Sequence, residues 1–285
     1  MLPTFIIGLR EGLEASLIVG IIAAFLIQRG ERQALRFMWL GVGLAIALCL
    51  AGALILEAVN HELPHKQQEG LATALALLAV AGVTYMVVWM KRHSRELKGS
   101  LERSAESALL RGSVLALVGM AFFAVLREGL ETAVFLLAVF GSSTRPAATG
   151  TGATLGIVVA VLLGYAIYRG GVRINLGRFF RITGFVLVLV AAGLLATAVH
   201  TGHEAGWIDS LQAQAFDLRW LVAPNSVRAA LLTGMLGLQP VPTVGEVFAW
   251  LLYAIPMALF VLWPSPHTPQ TTTQPAAANV NFNAT

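Results

Sequence analysis

The stretch Leu9-Arg10-Glu11-Gly12-Leu13-Glu14-Ala15 recurs as Leu126-Arg127-Glu128-Gly129-Leu130-Glu131-Thr132, with six of seven positions identical at an offset of 117 residues. Each copy sits in the middle of a long apolar run. Charged motifs duplicated inside apolar helices belong to a polytopic membrane protein, and the rest of the chain agrees. It is 57% apolar and only 12% charged, where a soluble domain carries about 25% charged residues. The single cysteine, Cys49, excludes an intrachain disulfide framework and any Cys-based zinc or iron–sulfur site.

A helix needs about 20 apolar residues to cross about 30 Å of hydrocarbon. Seven stretches qualify: 4–28, 37–56, 71–90, 113–140, 151–168, 182–200 and 244–263. Buried helices of a large soluble protein would require far more polar sequence between them. The predicted fold class is therefore all-α, a seven-helix membrane bundle over 1–263. Segment 203–243 is its one long outer loop, and 264–285 is an uncharged Thr/Pro/Asn/Ala tail expected to be disordered. The loop residues Trp207, Ile208, Leu211, Phe216, Trp220 and Leu221 suggest short amphipathic helices in the membrane interface.

Charge placement sets the direction. The loops after the first, third and fifth runs carry thirteen basic residues, against four in the opposite loops. Basic loops face the cytoplasm, so the N-terminus is expected outside and the C-terminus inside. The inner face sums to +9, the outer face to −3 and the two motifs to −2. A formal net charge of +4 thus says nothing about nucleic acid. It reflects sorting across a membrane, and no nucleic-acid partner is expected beside the lipid.

Three runs separate the motif copies, so the first lies on an outward-to-inward helix and the second on an inward-to-outward one. This is the mark of an inverted repeat, 1–92 against 111–202, with 244–263 as a seventh helix. From the outer ends of runs one and four, Glu14 and Glu131 both lie roughly 14–15 Å deep at 1.5 Å per residue. Inverted-repeat transporters bind their substrates near that depth.

Six ionisable residues in the membrane cost about 2.5–3.5 kcal/mol each before pairing. Arg10 and Glu14 are i, i+4 neighbours, as are Arg127 and Glu131, which offsets part of that cost. Glu11 with Glu14, and Glu128 with Glu131, share a helix face at i, i+3. Bringing the two helices together makes a cluster of four carboxylates and two guanidiniums, and Gly12 and Gly129 let helices approach closely. Locked helix packing is the plainer reading of each Arg–Glu pair. The residual −2, however, asks for protons or a cation, and carboxylates suit hard metal ions. Glu11, Glu14, Glu128 and Glu131 are the candidate metal ligands, with Arg10 and Arg127 as supporting charge. The residues alone leave protons, divalent metals and a trivalent ion open.

Two Arg-Glu-x-x-Glu motifs at matched depth resemble the oxidase-dependent ferric-iron permeases, the iron/lead transporter family, in their bacterial form. Tyr85-Met86-Val87-Val88-Trp89-Met90-Lys91-Arg92-His93 and the segment 200–206 are similar too. The resemblance implies a permease of the bacterial inner membrane that imports Fe³⁺ on these glutamates. It implies no resident cofactor and no enzymatic activity. It also implies an extracytoplasmic ferroxidase or periplasmic iron-binding protein as partner. A proton-coupled divalent-cation carrier or exporter using the same glutamates is the alternative. An intramembrane protease is a distant one, because no adjacent Glu-Glu pair or Gly-x-Ser-x-Gly motif occurs in a run. Two outer groups, Glu57, His61, Glu62, His65 and Glu69 between runs two and three and His200, His203 and Glu204 after run six, are candidates for an entry site that receives the ion.

Overall fold

In the computed structural model the described residues are 1–28, 30–93, 114–141, 146–169, 176–220 and 239–263, with Leu232 and Leu236. They form helices α1 (Leu2–Gln28), α2 (Arg32–Glu62), α3 (His65–His93), α4 (Val114–Gly141), α5 (Pro146–Tyr168), α6 (Leu176–Glu204) and α7 (Val244–Leu262). Every helix but α4 is long and apolar enough to cross a membrane. Helix α4 is equally long, at 28 residues, but Arg127, Glu128 and Glu131 fall within each 18-residue stretch of it. The seven apolar runs all reappear as helices. Most of the helices outrun their apolar stretch, because polar residues at the ends continue the backbone ladder into the headgroup region.

Two helix ends show why the chain turns where it does. Gly30 adopts φ +75°, its N–H donates to Ile27 O, and the Glu31 N–H donates to Leu26 O. Gly206 repeats the pattern at φ +75°, with its own N–H to His203 O and the Trp207 N–H to Gly202 O. Both are Schellman caps, in which a left-handed glycine lets two orphan carbonyls find donors.

The helices pack in a crossed order. The most extensive contacts join α1 to α5, α2 to α4 and α3 to α6, with α7 laid against α6. The α1–α5 crossing is very close. A Cβ on Gly156 would lie 2.3 Å from the Phe5 carbonyl oxygen, and one on Gly152 would lie 2.3 Å from Met1 O. One on Gly164 would meet Ser16 Oγ at 2.3 Å. Small residues every four positions let two backbones touch in a medium where burial of apolar surface between helices gains little. Gly12 and Gly129 serve the same purpose, but not where the two motifs meet. Gly12 faces Ala160 of α5 and Gly129 faces Cys49 of α2. Each glycine neighbours a site glutamate in sequence and is therefore about 100° around the helix from it.

Hydroxyls tie the helices across these crossings. Thr4 Oγ1 donates to Thr149 O at 2.9 Å, and Thr73 and Thr201 share a hydrogen bond of 2.6 Å. Thr84 meets Tyr253 OH at 2.9 Å, and Ser16 Oγ reaches Ala160 O at 3.4 Å. Lys91 donates to the Phe260 carbonyl in the last turn of α7 and lies 4.3 Å from that ring's centroid. Met86 and Met90 are buried core residues of α3.

The segment after α6 departs from the expectation of amphipathic helices. Over 207–220 it is irregular. Leu211 has φ 62°, Gln214 bridges Thr243, and Ala215 and Leu218 donate to Pro242 O and Pro240 O. Backbone pairing with a proline-containing strand-like stretch competes with helix formation here. The basic loop 94–113, where four of the thirteen counted basic residues lie, the remainder of the outer loop and the tail after 263 fall outside the described residues.

Candidate metal centre

Helices α1 and α4 pass each other with the duplicated motifs level. From the helix ends, Glu11 and Glu131 lie roughly 14–15 Å deep, and Glu14 and Glu128 roughly 18–20 Å, at 1.5 Å per residue. A carboxylate oxygen from each of Glu11, Glu128 and Glu131 lies within 4.8 Å of the other two. Metal–oxygen bonds of roughly 2.0–2.6 Å put opposed ligand oxygens roughly 4–5 Å apart. The three carboxylates are thus already spaced for one ion.

The arginines are placed as the i, i+4 spacing predicts. Arg10 Nε lies 3.3 Å from Glu14 Oε1, and Arg127 Nε donates to Glu131 Oε1 at 2.9 Å. Arg127 also lies 3.9 Å from Glu128. The two halves differ in their surroundings. Arg10 is fully buried, with its guanidinium 6.0 Å from the Phe180 ring centroid, whereas the Arg127 side chain is 49% exposed. Helix α1 is enclosed by α5, α4 and α6, while the Arg127 side of α4 is open. Glu14 is held on Arg10 beside the trio, within electrostatic reach of Glu11, Glu128 and Glu131.

Polar satisfaction shows what the arrangement lacks. Both oxygens of Glu11, Oε2 of Glu128, Oε1 of Glu14, and Nε and Nη1 of Arg10 are buried without a hydrogen-bond partner among the described residues. A buried carboxylate left without a counter-charge is destabilised by several kcal/mol. An all-oxygen cage with spare lone pairs is the donor set of a hard cation, and no soft ligand adjoins it: the one described thiol, Cys49, is turned to Leu126 O on α4. Thr132 is not part of the centre, because its hydroxyl donates to Glu128 O along its own helix.

The predicted entry residues separate. His200 and Glu204, one turn apart on α6, form an ion pair at 3.6 Å. His203 turns the other way, its Nε2 3.0 Å from Ser210 O, where it fastens the following loop. Glu57 and Glu62 stand exposed on α2, and the His61 side chain is outside the described residues. One residue that the motif reading left out, Glu246, joins the His200 group, its Oε1 3.0 Å from His200 Nδ1, and Glu69 lies within electrostatic reach of His200 and Glu204. One signal was legible: Thr243-x-x-Glu246 is a capping-box pattern, which marks the start of α7 and thereby aims Glu246.

An all-helical membrane bundle with a buried carboxylate–guanidinium centre defines a membrane cation carrier. The chain belongs to the iron permease FTR1 family, whose model matches residues 1–265. It is 44% identical over 267 residues to the ferrous iron permease EfeU of Escherichia coli O6:H1, covering 93% of this chain and 96% of that one. The ferrous iron permease EfeU of Yersinia pestis is also 44% identical over 267 residues, and that of Shigella sonnei 43%. No solved structure matches. The chain is a multi-pass iron permease of the bacterial inner membrane, and its relatives are named as transporters, not as enzymes.

Proposed function

We propose that the protein imports iron across the inner membrane, binding the ion between α1 and α4 on Glu11, Glu128 and Glu131, with Glu14 as the fourth carboxylate. The observation that carries this is the spacing of the trio, together with the unpartnered oxygens of Glu11. Arg10 and Arg127 limit carboxylate repulsion before the ion arrives, and the open Arg127 side gives the ion access. No bond is made or broken, so no catalytic residue is assigned.

The bundle is read as seven spans, N-terminus outside, built from an inverted repeat of α1–α3 and α4–α6. Packing supports the repeat. Exchanging α1 with α4, α2 with α5 and α3 with α6 turns the α1–α5 contact into the α4–α2 contact and leaves the α3–α6 contact in place. Parallel packing of α1 with α5 and of α2 with α4, read from the facing glycines, agrees with alternating spans.

The ion is read as Fe³⁺, because an all-carboxylate set favours the harder ion, delivered by an extracytoplasmic ferroxidase or iron-binding partner. A second reading, Fe²⁺, has two observations behind it. The relatives are named ferrous iron permeases, and a divalent ion would neutralise four glutamates and two arginines, leaving no net charge in the membrane. A proton-coupled divalent-cation carrier would use the same ligands. Radioiron uptake by cells producing Glu14→Gln or Glu131→Gln protein tests the site. Both variants should lose uptake at normal protein levels, and wild-type uptake by both would exclude these carboxylates.

A further inference from the structure

The two motif arginines are alike in sequence and unlike in their company. Arg127 Nε donates to Glu131 Oε1 at 2.9 Å, and its half-exposed side chain leaves the rest of the guanidinium open. Arg10 is fully buried, and its Nε stands 3.3 Å from Glu14 Oε1 without the alignment of a hydrogen bond. Neither that nitrogen nor Nη1 has a hydrogen-bond partner among the described residues. The guanidinium lies instead 6.0 Å from the centroid of the Phe180 ring on α6, at the roughly 6 Å reach of a cation–π contact. A buried cation with unmatched donors is costly, and the face of an aromatic ring is the apolar surface that attracts it.

Phe180 is itself held in place. It is buried, and Phe179 meets it edge to face, with ring centroids 5.3 Å apart and an interplanar angle of 74°. Glu14 gains from this arrangement. Arg127 is tied to Glu131 by an aligned bond, whereas Arg10 is shared between a carboxylate and a ring. Glu14 Oε1 is buried with no hydrogen-bond partner among the described residues, so its lone pairs stay open. Glu14 also shares a face of α1 with Glu11, one turn away, and Glu11 is a member of the trio spaced for one ion.

We propose that Phe180 is a positioning residue of the transport site: its ring face holds the Arg10 guanidinium in a shared position, so that Glu14 stays charge-balanced yet free to join Glu11, Glu128 and Glu131 around the ion. Without the ring's attraction, Arg10 would close on Glu14 as Arg127 has closed on Glu131, and the fourth carboxylate would be withdrawn from the ion. Phe180 touches no ion and acts only through Arg10. It also fastens α6 to the motif of α1 across a contact that is slight beside the α1–α5 crossing. The inference rests on the reading of the four glutamates as the iron site.

The test alters the charge distribution of the ring and not its shape. Mono-, di- and trifluorophenylalanine are introduced in turn at Phe180 by nonsense suppression. Fluorine draws electron density from the ring face and leaves the ring nearly the same size. Iron uptake by the purified full-length protein in liposomes is measured as half-saturation and maximal rate, with Phe180→Leu and Glu11→Gln alongside and thermal unfolding as the check on folding. Half-saturation should rise stepwise with fluorination and reach about 2–30-fold in the trifluoro form, the affinity equivalent of one cation–π contact, while most of the maximal rate is kept. Phe180→Leu should raise it at least as far. An unchanged half-saturation across the fluorinated series, or a change in maximal rate alone, would overturn the positioning role, because a ring that merely fills space does not respond to its own charge distribution. Wild-type uptake by folded Glu11→Gln would overturn the glutamate centre instead.

Discussion

Replacing Gly156 with alanine should disable transport from a position that touches no ion. The added Cβ would stand 2.3 Å from the Phe5 carbonyl oxygen and 2.8 Å from the Leu9 nitrogen, about 1 Å short of van der Waals contact. Both atoms are backbone, so no side chain can swing aside, and α1 itself must move. Arg10, Glu11 and Glu14 follow Leu9 directly on that helix, so a shift of about 1 Å reaches a trio whose ligand atoms lie within 4.8 Å of one another. Overpacking of this kind destabilises by about 1–3 kcal/mol, and misplacement by about 1 Å at a tuned site can cost about 100-fold in rate. The assays are thermal unfolding in detergent and radioiron uptake normalised to folded protein. Gly43→Ala and Gly52→Ala are the controls, since nothing lies within 4 Å of a Cβ at either. In helix interiors those changes should be neutral or stabilising by up to about 1 kcal/mol. Wild-type melting and uptake in Gly156→Ala would refute the claim that the α1–α5 contact sets the geometry of the centre.

Two further outcomes follow from the packing. Arg10→Met leaves Glu14 facing the other glutamates without its guanidinium and should destabilise the metal-free protein by about 3–5 kcal/mol. Adding Glu14→Gln should recover most of the melting temperature but not uptake, and an unchanged melting temperature in Arg10→Met would contradict the pairing. Thr73→Val removes one side of the 2.6 Å bond to Thr201 and should cost about 1 kcal/mol. The Thr73→Val/Thr201→Val double variant should cost less than twice that, which a double-mutant cycle of unfolding measures.

The long helices among the described residues were legible because continuous apolar runs of membrane length are a strong signal. The chemistry of the centre was legible because charge inside such a run is rare. The i, i+4 pairs Arg10–Glu14 and Arg127–Glu131 needed only helix geometry. What stayed hidden depended on the neighbour each helix chose. Nothing in the sequence says that Gly12 meets Ala160 and not the facing motif, because glycine marks close approach without naming the partner. The unequal burial of Arg10 and Arg127 is hidden for the same reason, since the motifs are identical and only the enclosing helices differ. Glu246 was counted as an ordinary outer acid, because a residue brought to His200 from the start of α7 shares no spacing with it in the chain. The loop after α6 misled the periodicity reading, because apolar residues that pack on helix ends in an irregular segment mimic an amphipathic pattern.

Iron uptake into liposomes by the purified protein bears most directly on the central claim, that a carboxylate trio spaced for one ion carries the substrate. Wild-type protein should accumulate iron in preference to Mn²⁺ and Zn²⁺, with Fe³⁺ and reductant-maintained Fe²⁺ run side by side to settle the valence. Glu11→Gln, Glu128→Gln and Glu131→Gln should each abolish uptake while the protein remains folded. Iron accumulation at the wild-type rate by any folded member of that trio would contradict the account.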